Sequence, residues 1–153
     1  MKQAIQAFKY HKILSFRLFF HEILIDFLIH HPSFRDVDVI LPVPLHPSRY
    51  KEREFNQAEI LARGLSHSFH IPLITNAVFR IKKTKPQVGL SMKERRSNLQ
   101  SAFEVRNDSL IKDRRILIID DVITSRSTVE SLSMVMRLAG CQAVLVLALA
   151  TGK

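Results

Sequence analysis

The chain has 153 residues, which is enough for one domain with a sizeable core, and its hydrophobic fraction of 46% excludes wholesale disorder. A single cysteine, Cys141, excludes an internal disulfide and a cysteine-cluster zinc site, and it fits a reducing, cytoplasmic environment. The formal net charge of +9 predicts an anionic partner, which is a phosphorylated small molecule, nucleic acid or a membrane surface.

The first thirty residues are strongly apolar. Arg17, Glu22 and Asp26 interrupt the apolar run, so we expect no membrane span, and the segment lacks the small-residue cleavage site of a signal peptide. Apolar residues recur every three or four positions, which predicts an amphipathic helix packed on the rest of the domain, with docking to a membrane or a partner as the alternative. The stripe comprises Phe16, Phe19, Phe20, Ile23, Phe27 and Leu28.

Residues 1–35 are therefore interpreted as an N-terminal helical segment, and residues 36–153 as the core of the same domain. In the core, "VDVIL" predicts a strand, which Pro42 ends. Apolar residues from Phe55 to Phe69 predict a helix that Pro72 stops. "LITNAVFRI" predicts a further strand, and the charged stretch from Lys82 predicts a long loop that becomes helical near Met92.

The C-terminal third predicts strands at "AFEV" and "RILIID", then a helix, then the strand "AVLVLALA" with both faces covered. Ser127 and Glu130 have the spacing of a capping box at the start of this helix, and Gly140 suits a left-handed residue after its end. Its apolar stripe comprises Val129, Leu132, Met136 and Ala139. Strand and helix alternate, so we predict an α/β fold with a mostly parallel sheet flanked by helices.

The stretch "ILIIDDVITSRST" carries the candidate chemistry. Asp120 and Asp121 follow a buried strand, and a helix begins within a few residues. In an open parallel sheet, ligands bind at the carboxyl ends of the strands, and the amides of a following helix attract phosphate. The carboxylates suit vicinal hydroxyls or a hydrated divalent cation, so the site predicts a sugar that carries a phosphate. An acid pair at the positive end of a helix dipole is the structural alternative.

This stretch resembles the phosphoribosyl pyrophosphate (PRPP) motif of type I phosphoribosyltransferases. Two further segments, "LPVPLHPSRYKEREFNQAEILARGL" and "RIKKTKPQVGLSMKERRSNLQSAFEV", precede it in the order typical of the ComF family of competence proteins. The resemblance covers roughly residues 37–150, and the N-terminal "FKYHK" is similar to the segment before the family's core.

The resemblance implies a division of labour within the site. Asp120 and Asp121 would hold the ribose hydroxyls of PRPP and, through them, Mg²⁺. The loop that would wrap the 5′-phosphate comprises Thr124, Ser125, Arg126, Ser127 and Thr128. The pyrophosphate would meet the loop that comprises Val43, Pro44 and Leu45 and continues to Arg49.

The basic stretch from Arg80 to Arg115 holds eleven lysines and arginines against four acids, which is most of the net charge. The resemblance implies that its part up to Asn98 includes a mobile flap, in which Lys85, Arg95 and Arg96 are the candidate residues. A solvated basic loop is the structural alternative.

The sequence departs from the family pattern in three places. Arg126 replaces a glycine of the phosphate loop, where a left-handed backbone would be strained and a long side chain would either add charge or block the pocket. Glu54 replaces the glycine of an "Arg-Gly-Phe-Asn-Gln" pattern. The paired-cysteine zinc module of many relatives is absent, so no zinc is expected.

Two functions remain open at this point. One is a phosphoribosyltransferase that releases pyrophosphate when an acceptor attacks ribose, with a link to DNA uptake. The other is a non-catalytic module of the same fold that binds single-stranded DNA or competence partners such as helicase-type proteins. For Asn56 and Gln57, a role in the motif stands beside simple capping of a helix; Cys141 is expected to pack after a helix end, with a reactive thiol as the alternative.

Overall fold

The computed structural model describes residues 15–82, 102–124 and 126–151, and for residues 15 and 16 it describes the backbone alone. The helices are α1 (Ser15–His30), α2 (Pro47–Arg53), α3 (Gln57–Phe69) and α4 (Arg126–Leu138). The strands are β1 (Val39–Pro42), β2 (Val78–Arg80), β3 (Phe103–Val105), β4 (Arg115–Ile123) and β5 (Ala143–Thr151). The predictions for "FKYHK", for the helix near Met92, and for Lys85, Arg95, Arg96 and Ser125 lie outside the described residues.

A parallel three-stranded sheet in the order β1-β4-β5 forms the centre of the domain. β1 lies beside the first half of β4, with Val39 opposite Ile116, and β5 accompanies β4 along its whole length. β2 and β3 form a separate antiparallel pair. The predicted α/β architecture with a mostly parallel sheet is therefore confirmed.

β4 is buried on both faces because helices cover the sheet from both sides. Leu117 and Ile119 pack into a cluster with α1 and α3, whereas Ile116 and Ile118 pack with α4 and the β2–β3 pair. All four side chains are 0% exposed. Each contributes roughly 1.5–3 kcal/mol by leaving water, so β4 is the strand on which the layers depend.

β5 differs from its prediction. Its apolar run suggested a strand covered on both faces, yet Leu147 is its one fully buried residue and the others are half-buried or exposed. Among the described strands β5 lies at an edge of the sheet, which leaves it less covered than β4. A continuous apolar run does not distinguish a central strand from an edge strand.

The helix predicted near the N-terminus is confirmed as α1, but its buried face is shifted. Phe20, Leu24 and Leu28 are buried at a spacing of four, whereas Phe19, assigned to the stripe, is 50% exposed. The helix is apolar around most of its circumference, so the sequence pattern alone did not single out one face.

The segment predicted as one strand, "LITNAVFRI", is divided in two. Leu73 forms a parallel bridge with Ile40 beside β1, whereas Val78–Arg80 leave the central sheet and pair with β3 as β2. Thr75 and Asn76 between them are exposed. The chain turns there because the two halves pack against different parts of the core.

The helix predicted to begin near Phe55 is confirmed as α3, and it begins one turn after α2. It ends at Phe69, before Pro72, because His70 adopts a left-handed backbone with φ 54°. Pro72 therefore follows the helix end rather than causing it.

α1 and α3 cross at Gly64. A methyl group built on Gly64 would lie 2.7 Å from Cδ2 and Nε2 of His21, and the His21 ring also contacts the hydroxyl of Ser68 at 3.4 Å. The close approach of the two helices therefore depends on the absence of a side chain at Gly64.

We predict that the effect of Gly64→Ala on stability changes sign with the residue at position 21. With His21 present, the new methyl group displaces the ring, so the free energy of unfolding should fall by about 1–3 kcal/mol. In a His21→Ala background the clash is absent and alanine is the better helix former, so the same change should raise it by up to about 1 kcal/mol. Urea unfolding of the four proteins measures both values; equal effects in both backgrounds would contradict the contact.

Candidate functional site

The site lies where the chain leaves β1 and β4 in opposite directions. After β1 the chain enters α3 on one face of the sheet, and after β4 it enters α4 on the other face. β1 and β4 are neighbours, so their carboxyl ends open a crevice at a topological switch point. The backbone N–H of Val43 donates to the carbonyl of Ile119 at 2.9 Å, which extends the pairing of the two segments one residue beyond the end of β1.

Asp120 and Asp121 come directly after Ile119 on β4, and they lie within the strand rather than after its end. β4 extends to Ile123, because β5 continues to pair with it beyond the end of β1. Successive side chains of a strand point to opposite faces. Asp120 therefore continues the face of Ile116 and Ile118, whereas Asp121 continues that of Leu117 and Ile119.

The two carboxylates also differ in exposure. Asp121 is 7% exposed, and its Oδ1 accepts a hydrogen bond from the N–H of Val122 at 2.7 Å. Asp120 is half-buried, and its Oδ1 accepts from the N–H of Asp121 at 2.8 Å. Each carboxylate is thus oriented by the backbone of the following residue, and Asp120 is the one with access to solvent.

The predicted phosphate loop connects β4 to α4. Thr124 is exposed, and Ser127 and Thr128 are half-buried in the first turn of the helix. The helix begins at Arg126, so Ser127 lies inside it and is not the predicted N-terminal cap. The geometry places hydroxyl groups and helix amides beyond the end of β4, as expected for this stretch.

Arg126 does not introduce the strain that its glycine-like position suggested. It is the first residue of α4, where the backbone is right-handed, and its side chain is exposed. The sequence pattern does not show where the loop ends and the helix begins. The expectation of a left-handed backbone at Arg126 was therefore wrong.

Strain lies instead at Glu54, the other position where glycine is expected. Glu54 ends α2 with φ 66° and ψ −12°, a left-handed conformation that L-residues with a side chain adopt at a cost of about 1 kcal/mol. Its N–H donates to the carbonyl of Tyr50 at 2.7 Å, which closes the last turn of α2. Glycine is the residue that this helix end favours.

The predicted pyrophosphate segment is part loop and part helix. Val43 is buried, Pro44 and Leu45 are half-buried, and Arg49 is exposed on α2 rather than in a loop. The His46 ring caps α2 by accepting from the N–H of Ser48 at 3.2 Å.

Asn56 attaches this segment to α3. Its Oδ1 accepts from the N–H of Ala58 at 3.1 Å, which caps the helix, and its Nδ2 donates to the carbonyl of Val43 at 3.0 Å. The predicted cap is confirmed. The second bond joins residues thirteen positions apart, so no local pattern could have revealed it.

Arg80 is a candidate site residue that no sequence motif indicates. Burial lowers the pKa of its guanidinium, and the charge of Arg49 acts in the same direction while that of Asp120 opposes both. Arg80 also lies over the Phe103 ring, 5.5 Å from its centroid. The crevice thus brings Arg49, Arg80 and Asp120 within electrostatic reach of each other.

A cleft of about 430 Å³ opens beside the crevice. The segment after β1 and the start of α3 form one side, and the β2–β3 pair forms the other, including Phe79, Arg80 and Arg106. Asp120 and the start of α4 are not part of its lining, whereas Pro44 and Leu45 of the predicted pyrophosphate segment are, so the cleft overlaps one end of the predicted PRPP site.

Cys141 follows the end of α4 as predicted. Gly140 before it has φ 88°, and Cys141 is half-buried and packs against the second core cluster. Burial raises the pKa of the thiol, and the charge of Arg137 opposes this shift. These observations favour the packing role over a reactive thiol.

Within the described parts of the chain, no three His, Cys, Asp or Glu side chains lie close enough to form a metal site. In those same parts no helix is both long enough and apolar enough to cross a membrane.

The described fold is that of type I phosphoribosyltransferases. The chain is similar to a purine phosphoribosyltransferase from Pyrococcus horikoshii, with a TM-score of 0.53 and 21% identity over 90% of this chain and 73% of that one. It is also similar to an adenine phosphoribosyltransferase from Saccharomyces cerevisiae, with a TM-score of 0.54 and 13% identity over 86% of this chain and 68% of that one. At these identities the likeness concerns the fold alone.

Curated sequences include relatives with higher identity. The chain is 40% identical over 114 residues to competence protein F of Haemophilus influenzae, covering 74% of the chain and 50% of that protein. It is 37% identical to the DNA utilization protein YhgH of Escherichia coli K12, over 70% of the chain and 46% of that protein. It is 36% identical to competence protein ComFC of Bacillus subtilis, over 59% of the chain and 34% of that protein.

Over the residues it shares with them, the chain is similar to these competence and DNA utilization proteins, in line with the predicted resemblance to the ComF family. It spans about half the length of the first two relatives. No protein-family model matches it.

We predict that a change to glycine has opposite effects on stability at Glu54 and at Arg126, the two positions where the sequence departs from the family's glycine. Glu54→Gly should raise the free energy of unfolding by about 0.5–1 kcal/mol, because glycine relieves the left-handed backbone. Arg126→Gly should lower it by up to about 1 kcal/mol, because glycine is a poor helix former. Urea unfolding midpoints at constant slope measure both changes, and a stabilising Arg126→Gly would place the strain where the family pattern suggested.

We also predict that Cys141 reacts slowly in the native protein. Because burial raises its pKa, the thiolate fraction at pH 8 should be smaller than that of the same thiol in urea. Alkylation by iodoacetamide, followed by mass spectrometry with and without urea, provides the comparison within one chain. Faster reaction of the native protein would show an activated thiol.

Proposed function

We propose that the chain binds a phosphorylated ribose of the PRPP type in the crevice between β1 and β4. The observation that carries the proposal is the switch point itself: adjacent strands whose connections leave on opposite faces, with a carboxylate and a helix start at its edge. Ligands of open parallel sheets bind at this place. The fold shared with phosphoribosyltransferases supports the same ligand class.

The two ends of such a ligand fit different parts of the crevice. Asp120, which has access to solvent, accepts from ribose hydroxyls, while the more deeply buried Asp121 holds the end of β4 in place. Thr124, Ser127 and the amides at the start of α4 bind the 5′-phosphate. The family role assigned to both acids is thus proposed to fall mainly on Asp120.

The pyrophosphate lies toward the wall of the crevice opposite the start of α4. Arg49 and Arg80 supply positive charge there. Of the segment from Val43 to Leu45, the N–H of Leu45 is the candidate donor, because Pro44 has no N–H and that of Val43 donates to Ile119. Departure of pyrophosphate builds negative charge, which guanidinium groups stabilise. Transfer to an acceptor and simple binding of the ligand both remain compatible with this arrangement.

Mg²⁺ fits the donor set as a partner of the ligand. Asp120 is the accessible carboxylate of the acid pair, and the described chain contains no cluster of three acidic or imidazole groups. This donor set suits a metal that is held largely by phosphate oxygens. When bound, the metal would neutralise charge on the pyrophosphate. Asp120 would meet it through the ribose hydroxyls.

We further propose that the protein serves the uptake or use of DNA. Two of its relatives are named competence proteins and another a DNA utilization protein. The net charge of +9 supports an anionic partner of this kind, and binding of single-stranded DNA or of competence partner proteins is the second candidate function.

Calorimetry with PRPP and Mg²⁺ tests the site. Wild type should bind, and Asp120→Asn should bind at least about tenfold more weakly, because it loses a charged acceptor for the ribose hydroxyls. Asp108→Asn is the matched control: it removes an exposed carboxylate before the amino end of β4, and it should bind like wild type.

Arg126→Gly completes the series. We expect binding close to that of wild type, because Arg126 is exposed at the helix start. Absence of binding by wild type together with binding by Arg126→Gly would show a site blocked by this arginine. Equal affinities of Asp120→Asn and Asp108→Asn would remove Asp120 from the proposal.

A further inference from the structure

β5 forms an open edge of the central sheet. Its nine residues, Ala143–Thr151, include no charged residue, no proline and no glycine. Natural edge strands are commonly short, or they carry lysine, proline or a bulge that prevents pairing with another chain. The opposite edge is closed, because Ile40 of β1 donates its N–H to Pro72 at 2.8 Å and accepts from the N–H of Ile74 at 2.9 Å. Among the described strands, only β4 pairs with β5.

The backbone of β5 presents donors and acceptors along this edge. The N–H of Ala143 donates to the carbonyl of Arg114, just before β4, at 3.4 Å. Along a strand in a parallel ladder, the backbone groups of successive residues point alternately toward one neighbour and toward the other. The amides of Val144, Val146 and Ala148 therefore point away from β4. All three residues are only partly buried.

Helices add an apolar layer on each side of this edge. α1 packs against β5 on one face of the sheet, and α4 packs against it on the other. α3, which covers β1 and β4, meets α1 at His21. Phe19 lies two positions from His21, about 200° around the helix, and so on the flank of α1 that points away from α3. Its ring is 50% exposed.

The edge is large enough for a stable interface. A strand of nine residues is about 30 Å long. With a helix of about 10 Å diameter on each face of the sheet, the edge is roughly 25 Å thick. It therefore presents on the order of 750 Å², close to the roughly 800 Å² per partner of a standard protein–protein interface.

We propose that β5 pairs with β5 of a second copy of this chain, antiparallel and around a two-fold axis, so that the two central sheets become one. A second copy fits because an isologous interface uses the same surface twice, and the outward groups of β5 have the same spacing in both copies. Since β5 is uncharged, the contact brings no like charges opposite each other on the strands, despite the net charge of +9.

This arrangement leaves the crevice open. β4 lies between β1 and β5, so the crevice at the ends of β1 and β4 is separated from the junction. Antiparallel pairing points the carboxyl ends of the two sets of strands in opposite directions. The two crevices therefore open at opposite ends of the dimer, and pairing through β5 does not depend on the ligand proposed for them.

Mass and amide exchange together test the proposal. Sedimentation velocity of the whole chain over a range of concentrations should show a species of twice the 17.6 kDa of one chain. Hydrogen exchange followed by NMR should show the amides of Val144, Val146 and Ala148 at least about tenfold more protected in the dimer than after dilution to the monomer. The amides of Leu145 and Leu147, which point toward β4, should change little.

Variants locate the interface. Val146→Pro removes an outward N–H and places a ring on the edge, and Val144→Lys introduces a charge there. Each should weaken dimerisation about a hundredfold, because the two-fold axis repeats the change and both residue types block strand pairing. His67→Lys adds the same charge to an exposed position of α3 and should leave the dimer unchanged. Circular dichroism verifies folding, and the two β5 variants act by different means.

The outcomes are distinct. A monomer at every concentration would overturn the proposal; if its outward amides were nevertheless protected, another part of the chain would be shown to occupy the edge. A dimer that neither β5 variant weakens would place the interface elsewhere and would also overturn it. Loss of the dimer in both variants, with protection of alternate amides in wild type, would support it. None of these results depends on whether PRPP binds.

Discussion

The parallel pairing of β1 with β4 is the constraint on which the rest of the molecule depends. It brings together two strand ends that are more than seventy positions apart in sequence, because Val39 lies opposite Ile116. Since the connection after β1 covers one face of the sheet and that after β4 covers the other, none of the described helices closes the space between the two ends. The crevice, the access of Asp120 to solvent and the position of the neighbouring cleft all follow from this arrangement.

The acid pair shows how a strand gives two identical side chains different environments. Asp120 and Asp121 are adjacent in sequence, yet they project toward different layers of the domain. Asp120 faces the side of the β2–β3 pair, where Arg80 and Arg49 supply positive charge. Asp121 is buried and oriented by the N–H of Val122. One acid is thus positioned for a ligand and the other for the strand.

Much of the fold could be predicted from the sequence because β4 and α3 have strong local patterns and clear boundaries. The buried face of α1 could not, since that helix is apolar on nearly all sides. The acid pair lies near the end of β4, as its strand pattern indicated, and the polar groups around it come from elsewhere: Arg80 and the bond from Asn56 to Val43 depend on contacts over long sequence separations. Both positions at which another residue replaces the family's glycine could be identified from the sequence. Only the backbone angles showed that the strained residue is Glu54 and not Arg126.

The double hydrogen bond of Asn56 has a consequence for cooperativity. Because one side chain both caps α3 and holds the carbonyl of Val43, the first turn of the helix and the segment after β1 open or close as one local unit. A ligand that orders this segment therefore transfers part of its binding free energy to the start of α3. Amide hydrogen exchange at Ala58 would then slow on ligand binding, although this N–H donates within the protein, to Oδ1 of Asn56.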